Sequence, residues 1–171
     1  MALLERMNPL LADDGAKPGK NTAPKNSRRE ARETVLKALY AYEMTQDNIK
    51  RVLDDVCDNF TEPATQFIHT LVQQTIAHQM EMDVLIRARA QNWEFERIAL
   101  IDRILMRMAL CEILFFEDIP PKVSINEMIE ISKRYSTDKS SKFINGILDS
   151  IYEDLKNVGR ITKTGRGIIE S

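Results

Sequence analysis

The segment ERIALIDRILMRMALCEILFF, residues 96–116, is the most hydrophobic part of the chain. Its apolar side chains recur at helical spacing, which predicts one long helix in the centre of the core. Charged residues interrupt the apolar runs, which excludes a membrane span. Glu112 falls on the apolar face between Leu105 and Phe116, and a buried carboxylate needs a partner or a proton. We therefore expect an internal ion pair there, with an arginine as the expected kind of partner.

The helical pattern continues on the carboxyl side of this segment. Pro120-Pro121 stops the chain, and Ser124 with Glu127 three residues later predicts a capping box for the next helix. A last helix is expected after Thr137-Asp138, either of which could cap it, with Gly159 as its stop. The apolar face of that last helix is formed by Ile144, Ile147, Leu148, Ile151 and Leu155.

The amino-terminal part of the chain has the same period. One helix is expected over about 27–44 and a second over about 47–59. A third pattern extends from residue 62 towards residue 90, with a break near 78–81. Glycine and proline occur mainly at boundaries, and no segment alternates convincingly as a strand. Six or seven helices with short joints predict an all-α fold.

Both ends of the chain lack a helical period. Residues 1–26 hold three of the six prolines and are expected to be a flexible leader, and residues 158–171 a mobile tail. The whole chain has a formal net charge of −2, but the segment from Lys17 to Arg32 has six cations and one anion and therefore a net charge of +5. A charge run is usually a solvated face, but this asymmetry makes a polyanionic partner worth testing.

Catalysis is the easiest function to exclude. His69 and His78 are nine residues apart, so they do not form the i, i+4 pair of a metal site. Cys57 and Cys111 are too few and too unclustered for a disulfide framework or a zinc site. Nucleotide-binding, nucleophile and redox motifs are absent from the sequence. We expect a non-enzymatic protein of the reducing cytoplasm, with no cofactor and no metal.

The first helix carries a candidate RNA-binding stripe. Guanidinium groups bind phosphate in a bidentate manner, and a tyrosine ring can stack on an unpaired base. The alternative is that the arginines pair with Glu33 and Glu43 while the tyrosine simply packs. The stripe lies beside the predicted core face and consists of Arg29, Arg32, Leu36 and Tyr40.

A second group of cations surrounds the start of the last helix, where free amides suit a phosphate. Phe143 lies to one side of the apolar stripe and is either part of the core or a stacking platform. The cations of this group are Lys133, Arg134, Lys139 and Lys142.

Two further residues carry packing expectations. Trp93 is expected to be a core or inter-helix anchor. Gly146 lies in mid-helix, where glycine costs about 1 kcal/mol relative to alanine. We interpret that cost as a sign that another helix crosses close to Gly146.

Four separated regions together resemble the NusB family. Their order and spacing agree from about residue 27 to residue 155, so the resemblance covers most of the chain. The matching stretches are RREARE at 28–33, VLKALY at 35–40, DRIL at 102–105, ALCEI at 109–113, VSINE at 123–127 and KFINGILD at 142–149.

The resemblance implies two packed three-helix subdomains in a helical domain over residues 27–157, with subdomains at about 27–91 and 96–157. It also implies binding of single-stranded boxA-type RNA in ribosomal RNA leader transcripts. The implied protein partner is NusE, a small-subunit ribosomal protein, within an antitermination complex on RNA polymerase. Self-association of the free chain as a homodimer is left open.

The resemblance also assigns residues. Its arginine-rich helix is the main RNA surface of the family, a second patch lies at the last helix, and Asp102 is assigned to the protein partner. The RNA-binding residues so assigned are Arg28, Arg29, Arg32 and Tyr40 on the first helix, and Lys142 and Phe143 on the last.

The chain departs from the family pattern at Glu30, which stands where a third basic residue can occur, and at Lys139-Ser140-Ser141. Two rival functions follow from other classes of protein. One is the amino-terminal module of rRNA cytosine methyltransferases, for which we expect no catalytic domain here because the sequence ends at Ser171. The other is a helical scaffold that binds only protein.

Overall fold

The computed structural model describes residues 27–168. Within that range the chain forms α-helices and two short 3₁₀ helices and no strand, which confirms the predicted all-α fold. The flexible leader predicted for residues 1–26 lies outside the described residues. The α-helices are α1 Arg28–Thr45, α2 Ile49–Cys57, α3 Glu62–Ala77, α4 Gln79–Arg89, α5 Leu100–Phe115, α6 Pro121–Tyr135 and α7 Ser140–Asn157, and the 3₁₀ helices are Phe95–Arg97 and Gly165–Ile168.

Local chemistry explains several helix ends. The Asn48 side chain accepts a hydrogen bond from the Lys50 backbone N–H at 3.0 Å, so Asn48 caps α2. Gln46 ends α1 in the left-handed conformation, with φ 56°, and its N–H donates to the Tyr42 carbonyl. His78 interrupts the helical pattern between α3 and α4, within the predicted break at 78–81.

The start of α6 differs from the prediction. The helix begins at Pro121, and Pro120 precedes it with an extended backbone, so Ser124 lies inside the first turn. Proline suits this position because its fixed φ matches the helix and it has no N–H to leave unpaired. The predicted capping box at Ser124 is therefore wrong. Its hydroxyl donates instead to the Glu112 carboxylate at 2.7 Å.

The contacts of the chain divide it into two compact units, one that ends at Val72 and one that begins at Gln73. This division falls inside α3, earlier than the joint near residues 91–96 that the resemblance implied. The reason is that α4 packs against α5 and α7 and so belongs with them. In the first unit α1 packs against α2, and both bury their apolar faces.

Helix α5 is the centre of the second unit, as the sequence predicts. It packs against α4, α6 and α7, and its residues are buried without a break from Ile104 to Ile113. Each large apolar side chain buried there stabilises the fold by about 1.5–3 kcal/mol relative to exposure. Burial on all sides also explains why the segment is hydrophobic around most of its circumference.

The carboxyl end of α5 is covered by the chain that follows α7. The Lys163 amine donates to the carbonyl oxygens of Glu112 at 3.0 Å and Phe116 at 2.8 Å. The Thr164 N–H donates to the Glu117 carbonyl at 2.9 Å. At Gly167 a Cβ atom would lie 1.9 Å from that same carbonyl oxygen, so only glycine fits. Residues 163–167 of the predicted tail therefore contact the end of α5, and residues 169–171 lie outside the described residues.

Candidate nucleic-acid interface

The first candidate surface is the amino-terminal end of α1. Arg28 and Arg29 occupy the first turn and are exposed, while Arg32 is only 3% exposed. The helix begins here because Ser27 is extended and its carbonyl accepts the Ala31 N–H at 3.0 Å. Two guanidinium groups therefore project from the start of a helix, where the helix dipole is positive and favours an anion.

The ring of Phe67, on α3, packs against the guanidinium groups of Arg28 and Arg32. The guanidinium carbon of Arg28 lies 4.3 Å from the centroid of the Phe67 ring, and that of Arg32 lies 5.6 Å away. An aromatic face attracts a cation, and this ring is itself buried. The arrangement orients both side chains. The sequence did not indicate this role of Phe67, because the contact joins residues far apart in the chain.

The remainder of the predicted stripe is not on the surface. Leu36 is fully buried and Tyr40 is 7% exposed, so both lie in the core rather than beside it. Most of the Tyr40 ring is covered and does not offer an open stacking face. The placement of the stripe was wrong because more of the circumference of α1 is covered than its apolar spacing indicated. Arg29, Arg32 and Tyr40 each make further interactions within the protein.

The second candidate surface contains an exposed aromatic pair. Trp93 is 62% exposed, so of its two predicted roles, core anchor or inter-helix anchor, the first is wrong. Its ring meets that of Phe143 edge to face, with centroids 5.6 Å apart and an interplanar angle of 69°. Trp93 is in the turn after α4, and Phe143 is in the first turn of α7. The half-buried Phe143 therefore acts as a wall of the surface as well as part of the packing.

A pocket of about 350 Å³ opens beside this aromatic pair. Asp102 lines the pocket and is only 6% exposed. Its carboxylate accepts hydrogen bonds from the Ser136 hydroxyl at 2.6 Å and the Ser140 hydroxyl at 2.8 Å, which hold it in one orientation. The lining residues are Trp93, Arg97, Ile98, Ala99, Asp102, Thr137, Lys139, Ser140 and Phe143.

The four cations of the predicted second group have different surroundings in the structure. Lys139 and Lys142 stay exposed near Phe143 at the start of α7. Lys133 pairs with Glu130 at 2.5 Å on α6, and the Arg134 guanidinium lies over the Tyr135 ring. Arg97, which the sequence did not single out, lines the pocket and pairs with Glu94 at 3.1 Å.

Gly146 does not mark a close helix crossing. A Cβ atom built at Gly146 has nothing within 4 Å, and the residue is exposed. The predicted packing is wrong because Ile144, Ile147 and Leu148 turn towards the core and leave Gly146 on the outer face of α7. The glycine instead leaves a smooth strip of backbone on the surface.

Within residues 27–168, no group of three histidine, cysteine, aspartate or glutamate side chains could hold a metal ion. None of the helices described there is long and apolar enough to cross a membrane. The two surfaces above, one in each unit, are therefore the candidate sites.

The family model described as the NusB family matches residues 29–153, which is most of the chain. The chain belongs to the NusB family. One relative of this NusB-family chain is the transcription antitermination protein NusB of Chloroherpeton thalassium, 46% identical over 149 residues, with 84% of this chain and 70% of the relative covered. The protein of the same name from Salinibacter ruber is 48% identical over 147 residues, with 84% and 92% covered.

Solved NusB structures share the fold. T. maritima NusB matches with a TM-score of 0.72 at 35% identity, covering 76% of this chain and 93% of that one. A crystal structure of antitermination factors NusB and NusE in complex with dsRNA matches with a TM-score of 0.67 at 24% identity, covering 74% and 96%. At that identity the second likeness concerns the fold alone.

Proposed function

We propose that this NusB-family chain is a transcription antitermination factor. It binds single-stranded boxA-type RNA of ribosomal RNA leader transcripts together with NusE, as part of an antitermination complex on RNA polymerase. Membership of the family and the names of its relatives support this function. The observation that carries it is the pair of exposed arginines at the start of α1, of which Arg28 lies over the ring of Phe67.

Arg28 and Arg29 make the phosphate contacts in this proposal. Guanidinium groups bind phosphate through two parallel hydrogen bonds, and a helix start adds a favourable dipole. Arg32 is nearly buried, with its guanidinium 5.6 Å from the centroid of the Phe67 ring, and acts mainly by positioning. The buried Tyr40 packs α1 against the core. The exposed helix start therefore accounts for most of the attraction for RNA in the first unit.

Lys142 and Phe143 form the second RNA patch, in the second unit. Lys142 is exposed and Phe143 is half-buried, so a cation and an aromatic ring adjoin on the surface. The resemblance to the family assigns Asp102 to NusE. Because it lines a pocket, NusE could reach it only with an inserted side chain.

The test is a titration with a boxA-like RNA at several salt concentrations. The double variant Arg28→Ala/Arg29→Ala should bind more weakly, and each lost phosphate contact should reduce the log–log salt slope by about 0.7. The matched control is Lys50→Ala/Arg51→Ala, which removes two exposed cations from α2 of the same unit. Equal losses in the two variants would mean that only net charge matters, and unchanged affinity in both would favour a scaffold that binds only protein.

A further inference from the structure

The pocket beside Trp93 combines more kinds of functional group than a surface that binds RNA without sequence preference requires. It combines a largely exposed indole, a second aromatic ring and a nearly buried carboxylate held by two serines. Its volume of about 350 Å³ lies at the lower end of the range of about 300–1,000 Å³ found for small-molecule sites. A planar group of modest size fits these walls.

We propose that this pocket receives one unpaired base of the bound RNA and that Asp102 selects a base carrying an exocyclic amino group. This inference rests on the proposed RNA-binding function. It adds Trp93 as a stacking residue and Asp102 as a specificity-determining residue, and it replaces the assignment of Asp102 to NusE.

The aromatic walls favour a base. Unpaired bases stack on exposed aromatic side chains, and alanine substitution of such a platform typically weakens binding by about 1–3 kcal/mol per base. Trp93 keeps most of its surface open although it lies against Phe143, so a ring face remains available. Phe143 fixes the indole by the edge-to-face contact and thereby limits the entropy lost when a base stacks.

The charges around the pocket decide between a nucleotide and a cationic side chain. Arg97 and Lys139 line the pocket together with one acidic residue, Asp102. Arg97 is paired with Glu94 at 3.1 Å, whereas Lys139 is exposed beside the pocket. An exposed lysine in the lining attracts the phosphate of a nucleotide and repels an entering cation. The hydroxyl groups of Ser136 and Ser140 also donate hydrogen bonds to the Asp102 carboxylate, so this buried charge depends less on a cationic partner.

Asp102 supplies the selectivity. A carboxylate has about four lone-pair sites and only accepts hydrogen bonds, and the serine hydroxyls occupy two of them. Cytosine, adenine and guanine each present an amino group that can donate to it. Uracil presents a single N–H between two carbonyl oxygens, which a carboxylate repels. We therefore expect the pocket to discriminate against uridine.

The single tryptophan of the chain makes the test direct, because intrinsic tryptophan fluorescence reports on Trp93 alone. The unmodified full-length protein is titrated with oligocytidylate and with oligouridylate of one length, and binding is followed separately by the anisotropy of labelled RNA. Oligocytidylate should quench the fluorescence and bind about ten-fold more tightly. Asp102→Asn should remove this preference, since an amide both donates and accepts.

The outcomes separate this inference from the proposed function. RNA binding by anisotropy without quenching would overturn the base pocket and leave the RNA-binding function intact. Equal affinity for the two oligonucleotides in the unmodified protein would overturn selection by Asp102. A fluorescence change with NusE and none with RNA would assign the pocket to the protein partner. No RNA binding at all would overturn both proposals. In the anisotropy assay, Trp93→Ala should weaken binding, while Val84→Ala, at an exposed apolar residue of the same unit, should not.

Discussion

The guanidinium group of Arg28 lies over the ring of Phe67, 4.3 Å from the ring centroid. Arg28 is exposed and belongs to α1, whereas Phe67 is buried and belongs to α3. The position of the arginine therefore depends on a second helix as well as on its own. A cation held in this way loses less conformational freedom when it binds a phosphate.

Replacing Phe67 by leucine should weaken RNA binding while the protein stays folded. Leucine keeps the site apolar but removes the ring face, so Arg28 would have to be ordered on binding. Ordering one long side chain costs about 0.5–1.5 kcal/mol, which corresponds to a two- to 12-fold loss of affinity. Affinity is measured well below the melting temperature. Ile68→Val is the control because it removes one methylene group from the buried neighbour of Phe67 in α3 and leaves the Phe67 ring in place. If both variants bind like the unmodified protein, the ring does not position Arg28.

Removing one partner of the partly buried ion pair between Arg107 and Asp83 should destabilise the protein more than replacing both partners by apolar residues. The two side chains meet at 2.6 and 2.9 Å and join α5 to α4. Asp83→Leu should lower the free energy of unfolding by about 3 kcal/mol, because it deprives a buried guanidinium of its carboxylate. Adding Arg107→Met should recover much of that loss in denaturant unfolding. A double variant no more stable than Asp83→Leu would show that the pair contributes beyond charge balance.

Stability should rise with pH in a window set by Lys163. Burial lowers the pKa of this amine from 10.5 to about 8. Between those values the unfolded chain keeps the proton and the folded protein has lost it. The unfolded state then binds more protons, so the free energy of unfolding increases with pH across this window. Relative to Lys163→Met, the unmodified protein should gain stability from pH 8 to about 10.5. A constant difference would mean that the amine is not buried as described.

Gly146→Ala should stabilise the protein. The helix has room for the new methyl group, and alanine is favoured over glycine in a helix by about 0.5–1 kcal/mol. Gly159→Ala is the matched contrast, since its φ of 67° disfavours any side chain even where space is open. Thermal melting should therefore move in opposite directions for the two variants. A lower melting temperature for Gly146→Ala would restore the idea of a tightly packed glycine.

RNA should bind more tightly to the complex with NusE than to this chain alone. Few cations are exposed at the start of α1, so a basic partner docked alongside would extend the positive surface. Linkage requires that RNA raises the affinity for NusE by the same factor, ordinarily about five- to 150-fold. Titrating RNA into each protein and into their mixture measures this coupling. A mixture that binds no better than its tighter component contradicts a shared RNA surface.

Helical period and boundary residues were sufficient to predict the class of fold and most helix positions. The apolar spacing of 96–116 predicted the buried central helix, and the break near His78 was visible as a loss of pattern. Starts of helices were less predictable. Pro120-Pro121 could end one helix or begin the next, and the choice that placed Pro121 at the first turn displaced the expected cap at Ser124.

The sequence by itself determined the all-α fold, the membership of the NusB family and the cation-rich start of α1, because each depends on the order of residues along one segment or on motifs at fixed spacing. The tertiary structure decided which faces remain open. It buried Tyr40, exposed Trp93 against Phe143, and brought Phe67 beneath Arg28. The physical reason is that the exposure of a side chain on a helix depends on which other helices cover it, and the spacing within one helix contains no information about its neighbours.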